Sequence, residues 1–172
     1  MNANKIIRTL IILAILATNV GCDQVSKHMV RQSVGEFEQI SVIKNFVTLM
    51  KVENTGAFLS WGSSLPQPFK LILLSVLPVV VLALAFLFVL TQKDLSKLTV
   101  VAICFVLGGG IGNIYDRVMH GSVTDFLHID FVIFQTGVFN MADVSVMLGM
   151  FFVLVEAYLK RRSQPATPET IE

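Results

Sequence analysis

The chain has 172 residues, of which 54% are hydrophobic and only 15% charged, with a formal net charge of +1. Soluble domains carry about a quarter charged residues, so this composition points to an integral membrane protein in one domain. The small net charge excludes a nucleic-acid role, and two cysteines, Cys22 and Cys104, give no metal-ligand spacing. Each lies in or beside an apolar run, so both are expected to be unpaired thiols.

Lys5-Ile6-Ile7-Arg8 opens the first apolar run, read as a retained helix over about 6–22 with Arg8 snorkelling to the interface. A positive start, a short apolar core and Gly21-Cys22 also fit a secretory or lipoprotein leader. Against cleavage stands Asn19, three places before the cysteine, where a lipoprotein leader carries an apolar residue. Asp23 and Lys27 follow, four apart, and can pair on one helical face either as an interfacial ion pair or in support of a site. Ser26 beside Lys27 does not make a serine–lysine hydrolase, because adjacent helical residues point apart.

The stretch 35–62 reads as a small extramembrane sheet lying on the bilayer. β-branched and aromatic residues alternate partially with Lys44, Asn45, Thr48, Lys51 and Glu53, and the run ends at Asn54-Thr55-Gly56-Ala57-Phe58. Gly56 after a polar pair marks a turn or a bulge. A second span is expected at 69–90, with Pro78 as a kink point. A third runs over 98–116 and a fourth over 138–159, followed by Lys160-Arg161-Arg162. The tail, 163–172, is polar and proline-containing and reads as disordered. Lys5, Arg8, Lys93, Lys97 and Lys160 to Arg162 fall on one side of this four-span arrangement, against Lys27, Lys44, Lys51 and Arg117 on the other, and this bias suggests that both termini are cytoplasmic.

On the other side gather Asp23, Asn54, Asn113, Asp116, Arg117, Asp125, Asn140 and Asp143. Ionisable groups at the edge of apolar segments are costly and are functional candidates by default. Gly108 and Gly112 mark a face of close helix approach. Asn113, Asp116 and Arg117 share one helix face, with Asp116 and Arg117 in a charge network, and Asn140 and Asp143 share another. Asp125, read as a loop residue, converges with Asp143 on that membrane face. Two close carboxylates do not both ionise comfortably, so one keeps a proton while the other acts as base, the chemistry of an aspartic peptidase. His28, His120 and His128 form no His-Glu-x-x-His pattern, so no metal or other cofactor is expected. Asp130 is set aside as a decoy. A proton-coupled carrier and a purely structural subunit are the rival readings of intramembrane Asp and Asn residues.

The ordered motifs are Asp23 with Ser26-Lys27, the segment Asn54 to Phe58, Gly108-Gly109 with Gly112-Asn113 and Asp116-Arg117, Val123-Thr124-Asp125-Phe126, and Phe139-Asn140-Met141-Ala142-Asp143. With these the chain resembles bacterial lipoprotein signal peptidase, also called signal peptidase II. The resemblance implies four inner-membrane helices with a periplasmic β-cradle and Asp125 and Asp143 as a catalytic dyad near the outer face. It implies site-lining or supporting roles for Asp23, Lys27, Asn54, Gly56, Asn113, Arg117 and Asn140. It also implies cleavage of diacylglyceryl-modified prolipoproteins before the lipidated cysteine, contact with membrane lipids, and sensitivity to globomycin-type antibiotics. A monomer is expected. The chain departs from the pattern at Thr55-Gly56-Ala57, where many members place two alanines before the aromatic.

Overall fold

The computed structural model describes residues 3–57 and 61–163. Phe58 of the Asn54–Phe58 segment and the expected tail beyond Ser163 lie outside the described residues. Among the described residues, four helical stretches are long and apolar enough to cross a membrane: Ala3–Ser33, Gln67–Thr91, Lys97–His120 and Met141–Arg162.

The first helix, α1 (Ala3–Ser33), runs well past the expected end at Cys22. Its buried positions are Ile12, Leu16, Asp23, Lys27 and Val30, a spacing that keeps one face toward the bundle. That face is apolar in its first half and charged in its second. The charged half reads as the end of a span, yet it points inward and the helix continues. Arg8 donates to the Val89 carbonyl near the end of α3 at 3.0 Å.

A hairpin follows, β1 (Gln39–Ile43) and β2 (Val47–Asn54), with Asn45 at φ 58° in its turn. Asparagine tolerates this left-handed conformation better than most residues. The second span joins a short helix, α2 (Gln67–Leu71), through one π-helical turn (Ile72–Val76) to α3 (Leu77–Thr91). Pro78 lacks an N–H and its ring crowds the carbonyl one turn back, so the expected irregularity falls in the turn just before it.

The helix α4 (Lys97–His120) packs against α1, α3 and α5. In its most apolar window 39% of residues are buried, against 6% for Gln67–Thr91, so the bundle is built around α4. Its start is capped by Ser96, whose Oγ accepts from Thr99 N–H, and its end by Gly121 at φ 77°. Glycines let the neighbours close in. A Cβ on Gly108 would sit 2.6 Å from Asn19 Cβ, and one on Gly109 would run into the Ala142 carbonyl of α5.

The last strand, β3 (Val123–Ile129), pairs antiparallel with β2 and completes a sheet ordered β1-β2-β3. Its register sets Val52 opposite Asp125, Glu53 opposite Thr124 and Asn54 opposite Val123. Two expectations are corrected here. The sheet is not confined to 35–62, and Asp125 lies on a strand rather than in a loop. Val123, Thr124, Asp125 and Phe126 are all buried, so the strand has no polar face to betray its period. The last helix, α5 (Met141–Ser163), begins later than the expected Val138, because Phe139 forms an antiparallel bridge with Leu127. Phe126 of the sheet packs with Val30 of α1 and with Val34, the residue that follows the helix, and thereby seats the sheet on that end of the bundle. Cys22 and Cys104 are free thiols, the first exposed and the second buried.

Candidate active site

The site lies where β2, β3, α4 and the start of α5 meet. Backbone pairing sets it up. Phe139 donates to the Leu127 carbonyl at 2.9 Å and accepts from the N–H groups of Phe126 and Leu127. That fixes Asn140, the next residue, beside Asp125, the residue before Phe126. The Asn140 amide Nδ2 donates to Asp125 Oδ1 at 2.6 Å, and Asn140 is fully buried.

Asp143 is placed by the helix it begins. Asn140 is the residue ahead of α5, and its side-chain oxygen accepts from Asp143 N–H at 3.0 Å. In return Asp143 Oδ2 accepts from Asn140 N–H at 3.1 Å. This reciprocal pair is a capping box, with Asp in the place usually taken by Glu or Gln. The remaining oxygen, Oδ1, accepts from Asn113 Nδ2 of α4 at 2.9 Å.

Asn54 ends β2 and reaches the same centre. Its Nδ2 donates to Asp125 Oδ2 at 3.0 Å and to the Ala57 carbonyl at 3.0 Å, while its Oδ1 accepts from Gly56 N–H. Asn54 is thus a turn residue and a site residue together. Arg117 holds the same loop from α4, donating to the Gly56 carbonyl at 2.9 Å. Burial raises the pKa of Asp125 from 3.8 to about 6, the charge of Asp143 pushes the same way, and the Asn54 and Asn140 amides oppose the rise. An acid so placed exchanges its proton close to neutral pH.

Behind this layer lies a buried ion cluster. Lys27 Nζ pairs with Asp23 at 2.8 Å and with Asp116 at 3.1 Å, and the side chains are fully buried. Arg31 pairs with Asp116 at 3.0 Å. The cluster reaches the site twice. Lys27 Nζ donates to Asn113 Oδ1 at 2.9 Å, and Asp23 Oδ1 accepts the Ala142 N–H at 2.9 Å, an otherwise orphaned donor in the first turn of α5. An ammonium only donates, so it fixes the Asn113 oxygen toward α1 and leaves the amide nitrogen for Asp143.

Asp23, Lys27, Asn54, Gly56, Asn113, Arg117, Asp125, Asn140 and Asp143 therefore form one connected assembly. Asp116 pairs with Lys27 and Arg31 rather than with its neighbour Arg117. Asp130 stands apart, accepting from Val132 N–H and Gln135. Sequence reasoning missed Gln24, which bridges Asp23, Asp116 and the Gly112 carbonyl, and Arg31. The signal was there for Arg31, since it continues the four-residue stripe Asp23, Lys27. It also missed Glu53, which accepts from Ser122 Oγ at 2.5 Å and Thr124 Oγ1 at 2.9 Å and ties β2 to β3 beside Asp125.

Asp125 and Asp143 line one cavity of about 250 Å3, together with Asn54, Asn113 and Arg117. Its other wall is apolar, from Leu73, Leu74 and Pro78 of the second span and Val123 and Val138. Two carboxylates held by amide donors around a small half-open cavity can bind and deprotonate a water, and can pass a proton to a leaving group.

Comparisons with known proteins assign the family. The family model for signal peptidase (SPase) II matches residues 13–159. The chain belongs to the signal peptidase II family. A lipoprotein signal peptidase of Borrelia hermsii is 33% identical over 171 residues, covering 95% of this chain and 97% of the relative. That of Clostridium acetobutylicum is 30% identical over 149 residues, covering 86% and 94%. A bacterial membrane enzyme solved by the in meso method aligns with a TM-score of 0.78 at 24% identity, covering 94% of each chain, and shows the same fold. The chain is accordingly a multi-pass membrane protease of the aspartic type, and it removes signal peptides from prolipoproteins.

Proposed function

We propose that Asp125 and Asp143 are the catalytic dyad of this signal peptidase II, cutting before the diacylglyceryl-modified cysteine of its substrates. The observation that carries this reading is that both carboxylates line one cavity and are bridged by Asn140, which donates to one and caps the other.

In this mechanism a water lies between the carboxylates, which hold a single proton between them. The ionised member takes a proton from the water as its oxygen attacks the scissile carbonyl, while the protonated member gives its proton to the carbonyl oxygen, so the pair again holds one proton. A gem-diol forms. The C–N bond then breaks as the dyad delivers a proton to the leaving α-amine of the cysteine. The products are a signal peptide with a new carboxylate and a lipoprotein with a free amine. Asn113 supports the intermediate. Its Nδ2 gives one proton to Asp143, and its second has no acceptor among the described residues, in a side chain that lines the cavity. Asn140 is unsuited to that role, since its amide donates to both Asp125 and Asn113. Arg117 holds the Asn54–Ala57 turn over the cavity.

The basic residues Lys5, Arg8, Lys93, Lys97 and Lys160 to Arg162 support an orientation with the termini in the cytoplasm of a bacterial cell and the sheet and dyad at the outer face of its inner membrane. The lipidated substrate then approaches from within the bilayer, and the chain works as a monomer. The deciding experiment is cleavage of a diacylglyceryl-modified prolipoprotein by the purified chain. Asp125→Asn and Asp143→Asn are each expected to lower turnover by about 10³-fold or more while remaining folded. Near-normal turnover in either variant would overturn the dyad.

A further inference from the structure

A second opening lies between α3 and α4. It measures about 440 Å3 and its lining is apolar, from Val79, Leu82, Ala83 and Phe86 on one side and Ile111 and Val118 on the other. At its upper end is a smaller cavity of about 150 Å3, where Thr55, Lys70, Ser75 and Arg117 bring polar groups among the apolar Leu71 and Leu74. The two stack along the same helix faces. Ser75 lies one turn above Val79, and Gly121, on the rim of the smaller cavity, lies one turn from Val118. The smaller cavity in turn shares Leu74 and Arg117 with the cavity of the dyad.

The sequence of linings is therefore carboxylates, then cationic and hydroxyl donors, then a hydrocarbon runway. From Leu107 to Val118 the runway extends over roughly 16 Å at 1.5 Å per residue, a useful fraction of one acyl chain. Small residues shape it. Ala83 leaves room on α3, and Leu82 sits on Gly110, where a Cβ would come within 2.7 Å of it. The π-helical turn at Ile72–Val76 lies at the height of the smaller cavity, and such turns occur often at functional sites.

We infer that this groove between α3 and α4 binds one acyl chain of the substrate's diacylglyceryl group, with Lys70, Ser75 and Arg117 donating to the glyceryl ester oxygens. The inference rests on the peptidase reading above and adds the place of the lipid to it. The lipid is attached to the residue that follows the scissile bond. Its glycerol must leave the dyad cavity within a few bonds, and the smaller cavity that shares Leu74 and Arg117 with it offers that way out. Water-repelling burial contributes little here, because a bilayer solvates an acyl chain as well as a groove does. The groove acts by packing and by aligning the scissile bond.

The test uses the full chain in phosphatidylcholine vesicles and a prolipoprotein whose acyl chains carry a mid-chain diazirine. Photolysis is expected to place adducts on residues of 79–86 or 107–118. In parallel, Ala83→Trp is expected to lower the ratio of kcat/KM for dipalmitoyl over dibutyryl substrate by about tenfold, the scale of one mispacked side chain. Leu154→Trp, on the exposed face of α5, leaves that ratio unchanged. Adducts confined to α1 or α5, or a ratio unmoved by Ala83→Trp, would overturn the inference. So would labelling of the groove by a diazirine phospholipid that substrate does not displace, which would make it a bilayer-lipid site. If the wild-type chain cuts no lipidated substrate, the peptidase reading itself fails. Cleavage with acyl adducts elsewhere defeats the groove alone.

Discussion

Asn140 and Asp143 cap each other at the start of α5, side chain to backbone in both directions, at 3.0 and 3.1 Å. The device that begins a helix therefore also orients a carboxylate of the proposed dyad. Asn140 adds a second function through its amide, which donates to Asp125.

These two functions separate on substitution. Asn140→Ala loses both, and is expected to cost about 1 kcal/mol of stability or more with a large fall in turnover. Asn140→Ser keeps an oxygen for the Asp143 N–H but has no amide for Asp125. Its thermal unfolding is expected to lie nearer the wild type than that of Asn140→Ala, while its kcat stays low. Recovery of both in Asn140→Ser would show that only the cap matters.

Lys27 is the cation between two buried acids, Asp23 and Asp116. Removing one member of a buried ion cluster leaves uncompensated charge, which costs about 3–5 kcal/mol. Lys27→Met is therefore expected to unfold in detergent at a markedly lower temperature than the wild type. It also frees the Asn113 amide to turn, so whatever folds should cleave slowly. An unchanged unfolding temperature would mean that the cluster contributes no net stability.

The four spans were legible in the sequence because apolar length alone defines them, and the polar residues on one membrane face were legible because each breaks an apolar run. What was hidden is hidden for physical reasons. Asp23, Lys27 and Arg31 look like a span running into water, since no sequence pattern distinguishes a charged face turned inward. Asp125 looks like a loop residue because β3 is buried on both faces and its strand partner, β2, comes from some seventy residues earlier. The link from Lys27 through Asn113 to Asp143 needs three helices in contact, and spacing along one chain cannot supply it.

Glycines in this chain divide by what stands opposite them. A Cβ at Gly109 would meet the backbone carbonyl of Ala142 and Val146 Cγ2, and backbone cannot step aside without moving α5. Gly109→Ala should thus destabilise the protein by about 1–3 kcal/mol and disturb the Asp143 cap. A Cβ at Gly21 would meet nothing within 4 Å. Gly21→Ala should be neutral or stabilising by up to about 1 kcal/mol, since alanine is the better helix former. Comparing the two by thermal unfolding and by turnover checks the contact of α4 with α5.

The pH dependence of cleavage tests the electrostatics at Asp125. Burial lifts its pKa to about 6, and the neighbouring charge of Asp143 adds to the rise. Turnover needs one proton on the pair. As pH rises through about 6 that proton is lost and kcat/KM falls, while at low pH a second proton removes the base, so the profile is a bell. The Asn54 amide donates to Asp125 and favours its ionised form. Asn54→Ala withdraws that donor, so the carboxyl holds its proton to higher pH. The alkaline limb of kcat/KM is expected to move upward in Asn54→Ala, even as the maximum rate falls. A limb that stays in place or moves downward would show that the group titrating there is not Asp125 as Asn54 holds it.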